Sequence, residues 1–151
     1  MTPEQAIINI LKEQINTYKI LHDLLKEERI CLVDINAEKI ADISKEKDTV
    51  IMRLRLLEEE RIRLITKFSV DNEINGDINL NDLGEITGNN MFTILRSRLL
   101  SLLQNIEEMN KFNSILIDRS INYIRTTANF INTFTDGNIS RTTGVLLSKE
   151  T

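Results

Sequence analysis

Twelve residues in the middle of the chain, Asp71 to Asp82, come closest to a site with recognisable chemistry, because they follow the pattern of an EF-hand calcium loop. Oxygen-bearing side chains occupy loop positions one, three, five and twelve, with glycine at position six and isoleucine at position eight. Two departures weaken the match. Position three is Glu73 instead of Asp or Asn, and the Asp82 side chain at position twelve is too short for the usual bidentate contact. We therefore expect a polar surface loop without a metal, and keep a calcium-responsive helical sensor as an alternative.

The sequence offers little for catalysis. The one histidine, His22, lies near an apolar stripe and is expected to pack at its boundary. The one cysteine, Cys31, has no activating arrangement and is interpreted as a buried structural thiol. The carboxylates of Glu27 and Glu28 are interpreted as surface charge, and no glycine-rich phosphate-binding motif is present. These observations predict a protein that is not an enzyme, needs no cofactor and has no small-molecule substrate.

Composition and charge limit the remaining classes. The chain is 41% apolar and 28% charged, as is usual for an ordered domain. Its net charge of −4 does not favour binding to nucleic acid. There is neither an apolar stretch of about 18 residues nor a basic leader before an apolar run, so we expect no membrane span and no signal peptide. A single cysteine suits a reducing compartment, and the expected location is the cytoplasm.

Long helices must carry whatever surface the protein uses, because residues 4–69 contain neither Gly nor Pro. The first helix is expected over about residues 3–33. It opens with a capping box, in which Thr2 accepts from the backbone N–H of Gln5 and the Gln5 side chain reaches back to Thr2. Apolar residues then recur every three or four positions, which lays one stripe along the helix.

The apolar pattern is interrupted between the first and second halves of this stretch. Asp34 and Asn36 are both good helix caps there, so a tight turn and a second helix over about residues 36–69 are expected. One continuous helix from 3 to 69 is the competing interpretation, and its long stripe would need a partner chain.

The second half of the chain is expected to hold one further long helix. A loop over residues 70–89, with at most one short helical turn near 81–86, leads to a third helix over about 90–135, capped by Asn89 or Asn90. Asp136-Gly137 ends it, and residues 138–151 form a mobile polar tail. The prediction is an all-α, elongated up-down-up bundle of three long helices with coiled-coil-like packing, forming one domain over residues 1–137.

Helix lengths point to a binding surface. At 1.5 Å per residue, the first two helices run roughly 45 to 50 Å and the third nearer 70 Å, so the third outruns its neighbours. Apolar residues continue to its end, where the chain offers no packing partner, and exposed apolar surface of this extent marks an interaction site. The predicted partner-binding residues are Ile117, Ile121, Tyr123, Ile124, Phe130, Ile131 and Phe134.

The sequence resembles the FlgN-type flagellar export chaperones over nearly its whole length. Four segments of the N-terminal half carry the resemblance: Leu-Leu-Lys-Glu-Glu-Arg (24–29), Val-Asp-Ile-Asn-Ala-Glu-Lys-Ile-Ala (33–41), Ser-Lys-Glu-Lys-Asp (44–48) and Leu-Leu-Glu-Glu-Glu-Arg (56–61). In the C-terminal part, a long helix with Tyr-Ile at 123–124 leads to an aromatic residue at 134, then Asp-Gly-Asn-Ile-Ser (136–140) and a polar tail.

The resemblance implies a cytoplasmic chaperone for the hook-associated proteins of the hook–filament junction. It would bind their C-terminal helical segments, prevent premature assembly and deliver them to the export gate of the flagellar secretion apparatus. An amphipathic client helix lying against an exposed apolar stripe agrees with this role. A structural coiled-coil protein that pairs with copies of itself, including a homodimer, is the alternative from a different class.

Overall fold

The computed structural model describes residues 1–134 and contains four helices in that range. They are α1 (Pro3–Asp34), α2 (Ala37–Asp71), α3 (Leu80–Thr87) and α4 (Met91–Asn132). No strand occurs in residues 1–134, so the all-α class is confirmed. The three long helices of the prediction are α1, α2 and α4, but the total is four and not three, because the short helical turn expected near 81–86 is a helix of eight residues, α3.

Helix α3 is short, but it is stabilised at its start and along its apolar face. Asn79 Oδ1 accepts from the Asp82 backbone N–H at 2.9 Å, and Asp82 Oδ2 accepts from the Asn79 N–H at 3.0 Å. This reciprocal capping satisfies two backbone donors that would otherwise lack partners. Leu80 and Leu83 are buried in the main core. Packing of these two leucines supplies the stability that eight isolated residues lack in water.

The start of α1 follows half of the expected capping box. Thr2 Oγ1 accepts from the Gln5 backbone N–H at 3.1 Å, as predicted. The second half of the prediction is wrong, because Gln5 Nε2 donates to Asn9 Oδ1 at 2.9 Å instead of reaching back to Thr2. The first turn is thus stabilised by a side-chain pair four residues apart along the helix.

A tight turn separates α1 from α2, so the interpretation as one continuous helix is wrong. Ile35 adopts a left-handed conformation with φ of 54°, and the Asn36 N–H donates to the Cys31 carbonyl at 2.9 Å. Asn36 then caps α2, its Oδ1 accepting from the Lys39 N–H at 3.2 Å. A left-handed β-branched residue costs energy, and the helix packing on both sides holds it in place.

Helix α1 is the central element, since both α2 and α4 pack against it. The main core joins residues near the start of α1 and α4 to α3 and the end of α2. Its buried members are Ile7, Ile8, Leu11, Ile15, Phe68, Leu80, Leu83, Phe92, Leu95 and Leu99. Two smaller clusters continue toward the α1–α2 turn. The three long helices therefore run up, down and up, with α3 closing the lower end.

Helix α4 begins after Gly88, which has a left-handed φ of 69°. Asn90 occupies the capping position without a side-chain hydrogen bond, and the cap comes from Asn89, whose Oδ1 accepts from the Met91 N–H at 2.9 Å. The helix ends at Asn132. The expected terminator Asp136-Gly137 and the tail over 138–151 lie outside the described residues. Among the described helices, none is long and apolar enough to cross a membrane.

Candidate functional site

Two hydrogen bonds fix the register of α4 against α1. Asn89 Nδ2 donates to Glu4 Oε1 at 2.8 Å near one end, and Asn113 Nδ2 donates to Glu28 Oε1 at 2.9 Å farther along. Both bonds join residues 85 positions apart, so the two helices run parallel with a constant offset. The last residue of α1, Asp34, therefore lies level with residue 119 of α4.

Helix α4 continues beyond this level to Asn132. At 1.5 Å per residue, the further thirteen residues extend the helix by about 20 Å. Helix α2 begins at Ala37, directly after the turn, and runs back along α1. The end of α4 thus projects beyond both helices that form the bundle with it.

The face of α4 that packs against α1 continues along this projection. Met109 and Asn113 are buried on that face, and Ile117, Ile121 and Ile124 follow at helical spacing with 38–49% of each side chain exposed. Ala128, four residues after Ile124, is buried. With the exception of Ala128, the apolar stripe therefore changes from buried to partly exposed close to the level at which α1 ends.

Aromatic residues enlarge the exposed surface. The side chains of Tyr123, Phe130 and Phe134 are each more than 60% exposed. The rings of Phe130 and Phe134 contact one another, with centroids 4.9 Å apart and a tilt of 55°. We call the predicted set the terminal seam of α4: Ile117, Ile121, Tyr123, Ile124, Phe130, Ile131 and Phe134. Each of its members is at least 38% exposed.

A buried polar junction lies just before the terminal seam. Glu28 is 5% exposed; its Oε2 accepts from Lys47 Nζ at 2.9 Å, while its Oε1 accepts from Asn113 Nδ2. Asn113 Nδ2 also donates to the Leu25 carbonyl at 2.9 Å. One carboxylate therefore connects α1, α2 and α4. Buried polar groups of this kind fix the register of helices in an otherwise apolar seam.

The interpretation of Glu28 as surface charge is wrong. Position 28 completes the apolar series of Leu21, Leu25 and Leu32, so its place in the stripe predicts burial although its charge does not. Its neighbour Glu27 is exposed, as expected. The spacing of three or four residues between position 28 and the leucines on either side could have identified Glu28 as buried from the sequence alone.

The other candidate residues serve packing or helix capping. Cys31 is buried beside Leu24 and Ile43, in agreement with a structural thiol. His22 Nδ1 lies 3.9 Å from Asp23 Oδ1, at the edge of the bundle. In the EF-hand-like segment, Asp82 caps α3. No group of three or more His, Cys, Asp or Glu side chains within residues 1–134 is arranged to hold a metal ion.

Comparison with known proteins identifies a family for this chain. The family model described as "FlgN: FlgN protein" matches residues 1–142. No curated protein and no solved structure matches the chain. The family match covers most of the sequence and includes all four helices and the terminal seam. The chain therefore belongs to the FlgN family of flagellar export chaperones.

Proposed function

We propose that this chaperone is cytoplasmic and binds the C-terminal helical segments of hook-associated proteins along the terminal seam of α4. It would prevent their premature assembly and deliver them to the export gate. The observation that supports this proposal most strongly is the α1-facing stripe of α4, which continues with partly exposed residues beyond the end of α1. Ile121 and Ile124 form that continuation, and Ile117 precedes it at the level of Leu32.

A client helix would take the place that α1 occupies lower in the bundle. The projection is long enough for about thirteen residues of a helix packed alongside it. Such a client needs apolar residues at three- and four-residue spacing on one face, which is the ordinary pattern of helix-in-groove recognition. Burying one half-exposed isoleucine or phenylalanine contributes about 1 kcal/mol, so several are needed to exceed the cost of association.

The full-length chain with Ile121→Asp and Ile124→Asp together tests the site, because both residues lie on the α1-facing stripe beyond the end of α1. We expect this variant to lose capture of a hook-associated protein in calorimetric titration, because two carboxylates would have to be desolvated in the interface. Both side chains are exposed in the free protein, so the helical circular dichroism signal should stay unchanged.

Met52→Asp is a matched control. Met52 lies on α2, is 56% exposed and is not part of the terminal seam. It should bind the client like the unmodified protein. Client capture that survives in the double variant would refute the assignment of the site, while loss of capture in Met52→Asp as well would point to a general effect of added charge.

Self-association is the second candidate function, because an exposed apolar stripe also suits a second copy of the same helix. Sedimentation equilibrium distinguishes the two. A stable elongated dimer that does not respond to hook-associated proteins favours a structural coiled coil. A monomer that forms a complex with the client favours the chaperone proposal.

A further inference from the structure

A second apolar surface lies at the opposite end of the bundle, in a groove of about 740 Å³ between α2 and α4. Gln14 and Tyr18 of α1 form part of its lining, and the segment between α2 and α3 closes one end. The apolar side chains that line it from the two walls are Ile62, Ile65, Val70, Leu99, Leu100 and Leu103. Ile62 is 54% exposed, so the groove presents apolar surface to solvent.

The dimensions of the groove suit a helix. Its α2 wall extends from Glu58 to Val70, which corresponds to about 18 Å or three turns. Its α4 wall runs from Arg96 to Leu103. Since α2 and α4 both pack on α1, a helix placed between them would complete a four-helix arrangement around the same core.

Of the charged side chains on the two walls of the groove, Glu58 has a partner of opposite charge within residues 1–134 and Arg96 does not. On the α2 wall, Glu58 accepts from Gln14 Nε2 at 2.8 Å and from Arg61 Nε at 3.0 Å. Burial alone would raise the pKa of Glu58, but the hydrogen bonds from Arg61 and Gln14 outweigh it and hold that pKa below its usual value. This carboxylate therefore already has its cation.

Arg96, on the α4 wall, has no such partner among the described residues. It is half-buried, and it forms no ion pair with any residue in the described part of the chain. Asp77, at the closed end, is exposed and its charge is solvated. A partly desolvated guanidinium without a counter-ion favours a carboxylate on whatever fills the groove.

Residues 135–151 cannot supply a helix of the length that the α2 wall accommodates. Along α4, about 46 Å of helix separates Leu103 from Phe134. A helix of twelve residues within 135–151 would begin by residue 140, and the six residues from Phe134 to that point reach at most about 22 Å when fully extended. We therefore look for the occupant in another molecule.

We propose that this groove binds an amphipathic helix of about twelve residues from a partner protein, with an aliphatic stripe along one face and a carboxylate beside the stripe that pairs with Arg96. The groove lies about 20 Å below the start of the terminal seam, since fourteen residues of α4 separate Leu103 from Ile117. The two surfaces can be occupied at the same time.

The test uses the full-length chain and two synthetic helical peptides that carry a fluorophore. Both have leucines at positions i, i+4, i+7 and i+11, and they differ by glutamates or lysines beside that stripe. We expect fluorescence anisotropy to show tighter binding of the glutamate peptide by about fivefold, and Arg96→Glu to reverse the preference. Arg98→Glu is the matched control, because Arg98 is exposed on the same helix but does not line the groove.

Two further variants locate the binding. Ile62→Asp should weaken binding of both peptides by at least tenfold while circular dichroism stays unchanged, and Phe130→Asp should leave binding unaltered. The proposal is overturned if neither peptide binds, if Arg96→Glu does not alter the preference, or if Phe130→Asp and not Ile62→Asp abolishes binding. A dimer in sedimentation equilibrium that Ile62→Asp dissociates would overturn it too, by assigning the groove to a second copy.

Discussion

Replacing Lys47 with methionine leaves the Glu28 carboxylate inside the bundle without its cation. The Glu28 side chain is only 6% exposed, so water cannot take over the role of the Lys47 ammonium, whose own side chain is 21% exposed. Removing one partner of a buried pair costs about 3–5 kcal/mol. Because Lys47 retains some contact with solvent, and Asn113 still donates to the carboxylate, we expect a loss of about 2–3 kcal/mol in the free energy of unfolding.

Urea denaturation followed by circular dichroism at neutral pH measures this loss. For a chain of this size, it corresponds to a fall in Tm of about 5–10 °C. The matched control is Arg53→Met, which removes an ion pair between the same two helices. Arg53 and Glu13 are more than half exposed and 3.5 Å apart, so that variant should lose less than about 1 kcal/mol.

A second variant separates the buried charge from the loss of a contact. Replacing Glu28 with leucine and Lys47 with methionine together removes both charges, and stability should return most of the way to that of the unmodified protein. Asn113 keeps its hydrogen bond to the Leu25 carbonyl in this variant. If Lys47→Met costs no more than Arg53→Met, the argument that Glu28 is a buried, paired carboxylate is refuted.

Three further outcomes are expected. Glu58→Gln should destabilise the protein by less than about 1 kcal/mol at neutral pH, because the carboxylate is partly exposed. Hydrogen bonds outweigh burial and hold the pKa of Glu58 low, so the stabilisation that this carboxylate provides is full above about pH 4.5 and disappears as the pH falls through the lowered pKa. Urea denaturation at pH 7 and at pH 3 measures this, and a difference in the free energy of unfolding between the unmodified protein and Glu58→Gln that is the same at both pH values would contradict it. Gly88→Ala should cost about 1 kcal/mol, measured by thermal unfolding, because φ is +69° although no atom lies within 4 Å of the added Cβ. Calorimetric titration with Ca²⁺ should give no binding heat, since Asp82 already caps α3; measurable heat that disappears in Asp82→Ala would contradict that expectation.

Features determined locally were accessible from the sequence. Thr2 and Asn36 mark the starts of α1 and α2 because an N-cap acts within one helical turn. Helix α3 was expected only as a short helical turn near 81–86, because eight residues give too little periodicity, and because its capping box uses Asn79 and Asp82 instead of the commoner Ser or Thr with Glu.

Features that depend on packing between helices were harder to predict. The projection of α4 followed from helix lengths, since length is a property of each helix alone. The groove between α2 and α4 was not foreseen, because it depends on the positions that these helices take around α1. The unpaired charge of Arg96 was missed for the same reason: a missing counter-ion becomes visible only once the neighbouring helices are in place.

The constant offset between α1 and α4 has a consequence for sequence change in this protein. Up to about residue 119, substitutions on the α1-facing side of α4 affect both folding and the arrangement of the three long helices. Beyond that level, substitutions on the exposed faces cost little stability, and under the proposed function they would alter partner preference. Inserting seven residues after position 119 would lengthen the projection by about 10 Å and nearly preserve its facing direction. The helix is therefore divided into a segment that is constrained by packing against α1 and a segment whose exposed faces are free of that constraint.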